Sequence, residues 1–383
     1  MRAAVAAQYL VPHKLLTRIV RWATRRTFGP WKNFLIRLIV KKYNVDLDEA
    51  ESADINAYRD FNAFFTRALK PGARPLDPDP DAVLCPADGR ISQAGAIEQG
   101  RIFQAKGFDF GTGELLGDDA HAAAYHDGSF MTVYLSPRDY HRVHMPLAGE
   151  LVETVHIPGH LFSVAPLPVA SIPRLFARNE RLVCHFESAL GPFAVVLVGA
   201  MLVSGVATVW DGVAIPPYAE AIVRRDYRGR GVWLKRGAEL GRFEMGSTVI
   251  VLLPARLGRL SAGLGPEQPV RMGQKVGLLA ARHEAEVAHV RDQKGDFVHA
   301  QKLAEPHEAG PAAHLHSRTD QRHAAGDCDL IAVLHAPAVS AGPVAQLAAP
   351  TVAHDLVAPA IAAVHRAIAG YRLAPKTSPP ALG

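Results

Sequence analysis

Cysteine is scarce in this chain of 383 residues. Its three cysteines, Cys85, Cys184 and Cys328, are far apart, odd in number and never part of a CxxC pair. This pattern disfavours both a disulfide framework and a thiolate zinc site, and it fits a reducing compartment. We therefore expect a protein without structural disulfides and without a bound metal.

Charge-free segments long enough to cross a bilayer are also rare. Residues 193–210, FAVVLVGAMLVSGVATVW, carry no lysine, arginine or glutamate, but Gly199 and the pair Ser204-Gly205 interrupt a stretch rich in valine. Because valine favours strands whereas glycine and serine favour turns, this segment predicts two buried strands joined by a turn. Any contact with a membrane is then peripheral.

Acidic residues are absent from the first 45 positions, which hold ten lysines and arginines. The remaining residues hold 32 basic and 37 acidic side chains, so the excess of basic charge is local. Apolar residues such as Leu15, Ile19 and Trp22 recur among these cations at spacings of three and four. A basic amphipathic pattern of this kind is typical of a helix that lies in a membrane interface.

Three other interpretations of this basic segment remain open. An amphipathic helix can instead dock on its own domain, with its cations facing water. A nucleic-acid-binding arm is also basic, but Trp22, Trp31 and Phe34 suit lipid better than phosphate, so we expect no nucleic-acid partner. A mitochondrial presequence is rich in arginine too, but it is normally rich in serine, which residues 1–45 lack.

The chain divides into four zones by composition. Residues 1–70 have a helical pattern and end in a Phe-rich piece, and a linker rich in proline and aspartate follows at 71–82. Residues 83–282 alternate short apolar runs with Gly, Pro and Asp turns, which predicts a mainly antiparallel β domain, either a sandwich or a partly closed barrel. The sequence thus predicts an α+β fold in which a helical, membrane-associating region precedes the β domain.

The fourth zone, residues 283–383, differs in kind. It holds ten of the eighteen histidines, is rich in Ala and Pro, and contains only two aromatic residues. This composition predicts a poorly ordered tail with at most a helix around 345–370. His314, His316 and His323 lie here, and in such a tail they do not predict a metal site.

Two short stretches of the β domain raise a question of chemistry. In GRFEMGSTVIVLLP, residues 241–254, Gly246 and Ser247 stand before an apolar run that predicts a buried strand. The simplest interpretation of the glycine is a β-bulge or a tight bend. In CPADGRIS, Asp88 precedes a glycine, which is typical of an ordinary turn.

A third stretch supplies two histidines. YLSPRDYHRVHMP, residues 134–146, predicts a short turn or helix on which His141 and His144 share a face. Asp88, His144 and Ser247 are the residue types of a proton-relay triad, in which the acid orients the imidazole and the imidazole deprotonates the hydroxyl. Because such triads can be drawn on many sequences, more specific signals are needed.

Longer motifs provide these more specific signals. PADGRIS, QAKG, YLSPRDYHRVHMP, GHLFSV, LFARNERLV, VGAMLVSGVATVW and GRFEMGSTVIVLLP follow one another along the chain. Together they resemble the bacterial phosphatidylserine decarboxylases, in the same order and at similar intervals. The resemblance runs from the N-terminal helices to about residue 280 and leaves out the tail. Where that family has leucine before Gly-Ser-Thr this chain has Met245, a volume-conserving difference.

The resemblance implies a proenzyme that cuts itself between Gly246 and Ser247. His144, held by Asp88, would remove the proton from Ser247, whose oxygen attacks the carbonyl carbon of Gly246. Elimination and hydrolysis would leave a pyruvoyl group, the cofactor, at position 247. The two products, which would stay associated, are residues 1–246 and residues 247–383.

By the same resemblance the processed protein is a carboxy-lyase that converts phosphatidylserine to phosphatidylethanolamine with release of CO₂. The substrate amine would form a Schiff base with the pyruvoyl group derived from Ser247, which acts as an electron sink. His141 would assist decarboxylation as an acid or as a clamp on the substrate. A homodimer of processed protomers, bound peripherally to an anionic membrane at the cytoplasmic face of the cell membrane, is also expected, and the basic segment fits that location.

Two rival functions use fewer features of the sequence. An Asp-His-Ser lipid hydrolase would use the same three residues without cutting itself, but no G-x-S-x-G elbow surrounds Ser247. A non-enzymatic membrane-binding module would need only the first zone. Chain integrity separates these functions, because only the self-processing enzyme purifies as two fragments.

Overall fold

The computed structural model describes residues 5, 8–201 and 205–280, and the backbone of three short strands between 287 and 316. Met1–Glu284 form one compact unit and Ala285–Gly383 a second. In the first unit the helices are α1 (His13–Thr24), α2 (Gly29–Tyr43), α3 (Phe61–Phe65), α4 (Thr112–Leu116), α5 (Asp119–Ala122), α6 (Pro166–Val169) and α7 (Leu175–Arg178).

Strands make up most of the rest of this unit. They are β1 (Ala82–Leu84), β2 (Gly89–Ala96), β3 (Arg101–Ala105), β4 (Phe108–Gly111), β5 (Ser129–Leu135), β6 (Arg142–His144), β7 (Gly149–Ile157), β8 (Arg181–Ser188), β9 (Gly191–Val198), β10 (Gly205–Thr208), β11 (Gly212–Ile215), β12 (Val223–Asp226), β13 (Trp233–Leu234), β14 (Glu239–Glu244), β15 (Ser247–Leu253), β16 (Gly258–Leu260), β17 (Pro269–Val270) and β18 (Lys275–Leu279).

A nine-stranded antiparallel sheet forms the centre of the unit, with the order β12-β7-β8-β9-β15-β5-β2-β17 and with β13 also paired to β7. β15 lies between β9 and β5, and every one of its seven residues is buried. An apolar side chain is needed on both faces of such a strand, which explains the unbroken run from Val249 to Leu253. The buried strand predicted here is confirmed.

The nine-stranded sheet is open at both edges. Its edge strands β12 and β17 are four and two residues long, and within the described residues each pairs on one side only. The described strands therefore form no closed barrel, because the edge strands β12 and β17 do not pair with each other. The mainly antiparallel architecture that the turn-rich sequence predicted is confirmed.

A second sheet has the order β11-β10-β14-β6 and shares one buried apolar cluster with the first. Val143, Val206 and Phe243 of this sheet belong to the same cluster as Val249 and Val251 of β15. The segment 193–210 thus contains two strands as predicted, but β9 and β10 lie in different sheets. A third sheet, β1-β18-β16, and the β3-β4 pair complete the unit.

Helix α1 docks on the β domain through its polar side. His13, Thr17 and Thr24 are its buried residues, whereas Leu15, Ile19 and Trp22 are 56%, 54% and 61% exposed. A helix docked for stability alone would bury the opposite face, because burial of apolar area is what stabilises packing. Docking of α1 through its apolar stripe, one of the open interpretations, is therefore wrong.

Ion pairs hold α1 with its polar side against the β domain. Arg21 and Arg25 both pair with Glu244 at the end of β14, and Lys14 lies 3.9 Å from the carboxylate of Glu180. The exposed apolar side of this N-terminal region continues through α2. Its large side chains are Tyr9, Leu10, Leu15, Ile19, Trp22, Phe28, Trp31, Phe34 and Leu38. No helix in the described part of the chain is long and apolar enough to span a bilayer.

The second unit contains β19 (Val287–Arg291), β20 (Phe297–His299) and β21 (His314–His316), in a sheet of order β20-β19-β21. His314 and His316 thus lie on a strand. The helix predicted around 345–370 and His323 lie outside the described residues.

Candidate active site

Two residues connect β14 in one sheet to β15 in the other. They are Met245 and Gly246, with φ of +82° and +26°. A non-glycine residue in the left-handed region is uncommon, so the backbone strain of this corner falls on Met245, whereas Gly246 adopts a positive φ at little cost. The bend predicted from the glycine is confirmed, and its strained residue lies two positions before Ser247.

The side chain of Met245 packs against a small aromatic cluster. Phe61, Phe64 and Phe65 of α3 form this cluster together with Ile36 of α2 and Val45. The Phe-rich piece noted in the sequence therefore supports the corner. Around Gly246 there is more space, since a Cβ there would meet only the carbonyl oxygen of Leu135, at 3.9 Å.

Ser247 is the first residue of β15 and is fully buried, opposite Leu135 of β5. Its hydroxyl donates a hydrogen bond to the carbonyl oxygen of Val198, at the end of β9. The hydroxyl of the next residue, Thr248, is buried and has no hydrogen-bond partner among the described residues. Unpaired buried polar atoms are rare and cluster at functional sites.

Asp88 lies just before β2 and is 6% exposed. Each of its carboxylate oxygens accepts a hydrogen bond of 2.9 Å from Nε of Arg74, and one also accepts from the backbone N–H of Met272, at 2.9 Å. Arg74 comes from the predicted linker and also binds Glu49. Asp88 is thus a buried carboxylate whose charge is balanced by a buried guanidinium.

His144 is the last residue of β6. Its Nδ1–H donates to the carbonyl oxygen of Gly237 at 2.8 Å, and its Nε2 lies 3.1 Å from the hydroxyl of Tyr140. Burial lowers the pKa of His144, with the hydrogen bond to Gly237 opposing that shift, and burial raises the pKa of Tyr140 to about 12. The ring is therefore neutral, and its Nε2 lone pair accepts the proton of a neutral phenol.

His141 is fully buried just before β6. Its Nδ1–H donates to the carbonyl oxygen of Asp139 at 2.8 Å, and its ring centroid lies 4.1 Å from that of Phe65. The other nitrogen, Nε2, has no hydrogen-bond partner among the described residues. Burial lowers the pKa of His141 to about 3, so this nitrogen carries a free lone pair.

The two histidines do not share the face of a helix, and that prediction is wrong. The carboxylate of Asp139 accepts from both the backbone N–H and the hydroxyl of Ser136, which closes a tight turn. After this turn the chain pairs with β14 as a strand. Neighbours three apart on a strand point to opposite faces.

Strand register sets the distance of each histidine from the corner. His144 lies opposite Glu239, at the start of β14, and its backbone N–H donates to the carbonyl oxygen of Pro86, two residues before Asp88. Asp88 and His144 are therefore brought together along the backbone. Among the described residues, however, neither of them forms a hydrogen bond with the other's side chain or with Ser247.

A polar cleft of about 290 Å³ opens beside these residues, with Arg67, Asp88, Asp139 and Tyr140 in its wall. Arg67 is only 5% exposed and lies over the ring of Phe64. Its Nη2 donates to a backbone carbonyl oxygen at 3.2 Å, but its Nε and Nη1 have no partner in the described part of the chain. Sequence reasoning missed Arg67, although it directly follows the Phe-rich piece.

Comparison with known proteins agrees with the resemblance of the motifs. The profile of the family described as phosphatidylserine decarboxylase matches residues 61–278, and a profile described as PSD matches residues 3–44. A protein of Xanthomonas axonopodis pv. citri named phosphatidylserine decarboxylase proenzyme is 59% identical over 274 residues, which are 72% of this chain and 98% of that protein. A protein of the same name from Stenotrophomonas maltophilia is 56% identical over 279 residues, 73% of this chain and all of that protein. The chain therefore belongs to the phosphatidylserine decarboxylase family, the carboxy-lyases that convert phosphatidylserine to phosphatidylethanolamine.

Proposed function

We propose that the chain is a proenzyme that cuts itself between Gly246 and Ser247, and that the pyruvoyl group formed at position 247 decarboxylates phosphatidylserine. The observation that carries this proposal is the corner itself. Two successive residues with positive φ lead into a buried serine at the head of the central strand. Met245 holds its strained backbone one residue before the scissile bond, and a cut at Gly246 would let that strain relax.

The cut needs a base, a nucleophile and an approachable carbonyl. Ser247 Oγ attacks the carbonyl carbon of Gly246, the peptide C–N bond breaks, and an ester replaces it. His144 accepts the hydroxyl proton at Nε2, where the ring already carries its lone pair. To do so, Ser247 leaves the carbonyl oxygen of Val198 and His144 leaves the hydroxyl of Tyr140.

Asp88 assists His144 through its charge in this proposal. The negative charge of Asp88 raises the pKa of His144 and so opposes the effect of burial. β-Elimination then removes the α-hydrogen of residue 247 as a proton and breaks its Cβ–Oγ bond, which releases Gly246 as a carboxylate and leaves dehydroalanine at position 247. Addition of water and loss of ammonia yield the pyruvoyl group.

The surroundings of Ser247 fit such a group. The position is fully buried, flanked by strands on both sides and followed by the unpartnered hydroxyl of Thr248. Once formed, the ketone supplies the electron sink for the pair left behind by CO₂. We assign His141 to the decarboxylation step as a clamp, because its ring is neutral and its Nε2 is free to accept a hydrogen bond from the substrate.

Arg67 is our candidate for the residue that binds the negatively charged groups of the substrate. Phosphatidylserine carries a phosphate and a carboxylate, and Arg67 lines the polar cleft with two buried N–H groups that have no partner among the described residues. Charge-assisted hydrogen bonds from a buried guanidinium to such an anion are among the strongest polar contacts. The other three arginines in the wall already have acidic partners: Arg74 pairs with Asp88 and Glu49, Arg138 with Asp139, and Arg271 with Glu49.

The N-terminal helices are proposed to seat the enzyme on its membrane. α1 and α2 turn Trp22, Trp31 and Phe34 outward, and the cations of this segment suit an anionic surface containing phosphatidylserine. We place the enzyme peripherally at the cytoplasmic face of the cell membrane, as a homodimer of processed protomers, on the basis of the family resemblance.

Intact-mass spectrometry of the denatured protein tests the proposal. The wild type should give residues 1–246 and a second chain that begins at 247 and is lighter by one ammonia than a chain with an N-terminal serine. Ser247→Ala should remain one chain. The matched control is Thr248→Val, which removes the neighbouring buried hydroxyl and should still be cut. A single wild-type chain that nevertheless converts phosphatidylserine would overturn self-processing.

A further inference from the structure

Three potential metal ligands from three different elements meet away from the active site. His121 lies on α5, Glu153 on β7 and His185 on β8, and one ligand atom of each lies within 4.8 Å of the others. Glu153 and His185 are direct cross-strand partners in the sheet. The rings of His121 and His185 are stacked, with centroids 4.2 Å apart.

His121 is held in the orientation that a metal-binding histidine needs. Its Nδ1 lies 2.8 Å from the carboxylate of Asp118, which fixes the proton on that nitrogen. The lone pair is therefore on Nε2, and Nε2 lies 3.8 Å from Oε2 of Glu153. A carboxylate behind the imidazole is the usual outer-shell arrangement of histidine ligands, because it orients the ring and raises its basicity.

His185 supplies a buried nitrogen without a partner. The residue is 4% exposed, and its Nε2 has no hydrogen bond within the described part of the chain. An orphaned polar atom in the interior needs an explanation, and a bound cation provides one.

The charge around the three ligands suits a dication. Glu153 and Asp118 are both carboxylates, and Arg224 lies 3.2 Å from an oxygen of each. Two negative charges against one positive charge leave the cluster with one net negative charge. A bound dication would change the net charge of the cluster from −1 to +1, and Arg224 can retain Asp118 as its partner.

From this geometry we infer that His121, Glu153 and His185 form a binding site for a transition-metal dication, with Zn²⁺ the best match. Two imidazoles and one carboxylate are a ligand set that zinc commonly takes, with a fourth position left for water. Ligand atoms in a tetrahedral zinc site are about 3.4 Å apart, so the cluster closes by about 1 Å on binding. His121 is the partly exposed member and can make that adjustment.

The site serves the fold and not the decarboxylation. His185 pairs with Ala194 of β9, which pairs with Leu252 of β15, five residues along that strand from Ser247. The metal would instead pin the short helix α5 to strands β7 and β8. Occupancy should therefore change thermal stability and leave turnover unchanged.

Isothermal titration of Zn²⁺ into the metal-free full-length protein is the test. We expect the wild type to bind one Zn²⁺ ion per chain tightly, which we call the tight equivalent. His121→Ala and His185→Ala should each lower the affinity for this ion at least tenfold. Zn²⁺ should raise the melting temperature only in proteins that bind the tight equivalent. X-ray absorption at the zinc edge should count two imidazole ligands. His121→Ala should fold normally because this side chain is only partly buried, and circular dichroism checks that it does.

The histidine-rich tail provides the control. The double variant His314→Ala/His316→Ala should keep the tight equivalent, because both residues belong to the other unit. Loss of the tight equivalent in that variant, or an unchanged isotherm in folded His121→Ala, would overturn the assignment. A wild-type protein that shows no heat of Zn²⁺ binding beyond the heat measured with buffer alone would also overturn the assignment.

Discussion

Phe243 donates its backbone N–H to the carbonyl oxygen of His141, with a distance of 3.0 Å between nitrogen and oxygen. This bond ties His141 to the strand that leads into the corner, three residues before Gly246. His144 instead lies opposite Glu239, at the far end of the same strand. The two histidines are therefore placed differently with respect to the scissile bond, and their loss should have different effects.

We expect His144→Ala to abolish self-cleavage, because the proposed base is removed. His141→Ala should still be cut and should then lose most of its decarboxylase activity, because the clamp on the substrate is absent. Denaturing gel electrophoresis reports the cut, and conversion of phosphatidylserine in mixed micelles reports the activity. The reverse pattern would move the base to His141, which is the histidine nearer to the corner.

Gly246→Ala tests the role of the strained corner. A Cβ has space there, with its nearest neighbour at 3.9 Å, so the variant should fold. The positive φ costs an alanine about 1 kcal/mol, and the added methyl hinders approach to the carbonyl carbon, so we expect cleavage to slow at least tenfold. The cleavage half-time after synthesis at 25 °C is the measurement.

Gly107→Ala is the matched control for that variant. Gly107 also has a positive φ, +83°, and open space around its Cβ position, but it is remote from the corner in sequence. It should cost similar stability and leave the cleavage half-time unchanged. Equal slowing in both variants would show that general destabilisation, and not the corner, limits the cut.

Arg67→Gln should weaken substrate binding. Removal of a charged hydrogen-bond donor from a buried site costs about 1.5–3 kcal/mol, which predicts a KM higher by about 10- to 100-fold. Self-cleavage should proceed normally, since Arg67 has no role in it. Arg259→Gln, a change of the same chemistry at the exposed position of β16, should leave KM unchanged. An unaltered KM in Arg67→Gln would remove Arg67 from substrate recognition.

Trp22→Ser should reduce binding to vesicles that contain phosphatidylserine. Trp22 is 61% exposed and lies on the outward side of α1, so its loss should weaken partitioning about tenfold without lowering the melting temperature. Trp233→Ser is the control, because Trp233 is 54% exposed but lies on β13, which pairs with β7 and belongs to neither N-terminal helix. Flotation of both variants with vesicles gives the comparison, and equal losses would argue against a membrane face on α1.

The stability of the uncleaved protein should fall as the pH falls below about 6.5, partly because of His141. Its pKa is about 3 in the folded state and near 6.5 when unfolded, so the unfolded state binds the proton first and gains from acid. In a Ser247→Ala background, the stability difference between wild-type His141 and His141→Asn should shrink from pH 7 to pH 5. Melting curves at both pH values measure it, and a constant difference would mean that His141 is not shielded from protonation.

Strands were easier to predict from the sequence than the contacts between them. The run before Pro254 and the bend at Gly246 follow from local composition, which is why both were predicted correctly. The helical placement of His141 and His144 failed because the carboxylate of Asp139 accepts two hydrogen bonds from Ser136 and so closes the chain into a turn. A hydrogen bond between a side chain and a nearby hydroxyl leaves no trace in the spacing of apolar residues, so the pattern could not predict it.

Contacts between residues that are far apart in the sequence could not be predicted from the pattern of residue types. Arg74 lies in a segment that reads as a linker, yet it holds Asp88 in the interior. His121 and His185 are 64 positions apart, and only the register of β7 with β8 and the position of α5 bring them together. Resemblance to a family supplied the proposed roles of Asp88, His144 and Ser247, which composition and periodicity alone left ambiguous.

The central position of β15 determines how the two products of the proposed cut would be held together. β15 pairs with β9 and β5, β17 pairs with β2, and β18 pairs with β1, so three strands after the cut pair with strands before it. The proposed cut would therefore leave two chains that share strands of the same two sheets, and not subunits that meet at a surface. Dilution should never separate them, and neither half should be recoverable as a folded protein when it is expressed alone.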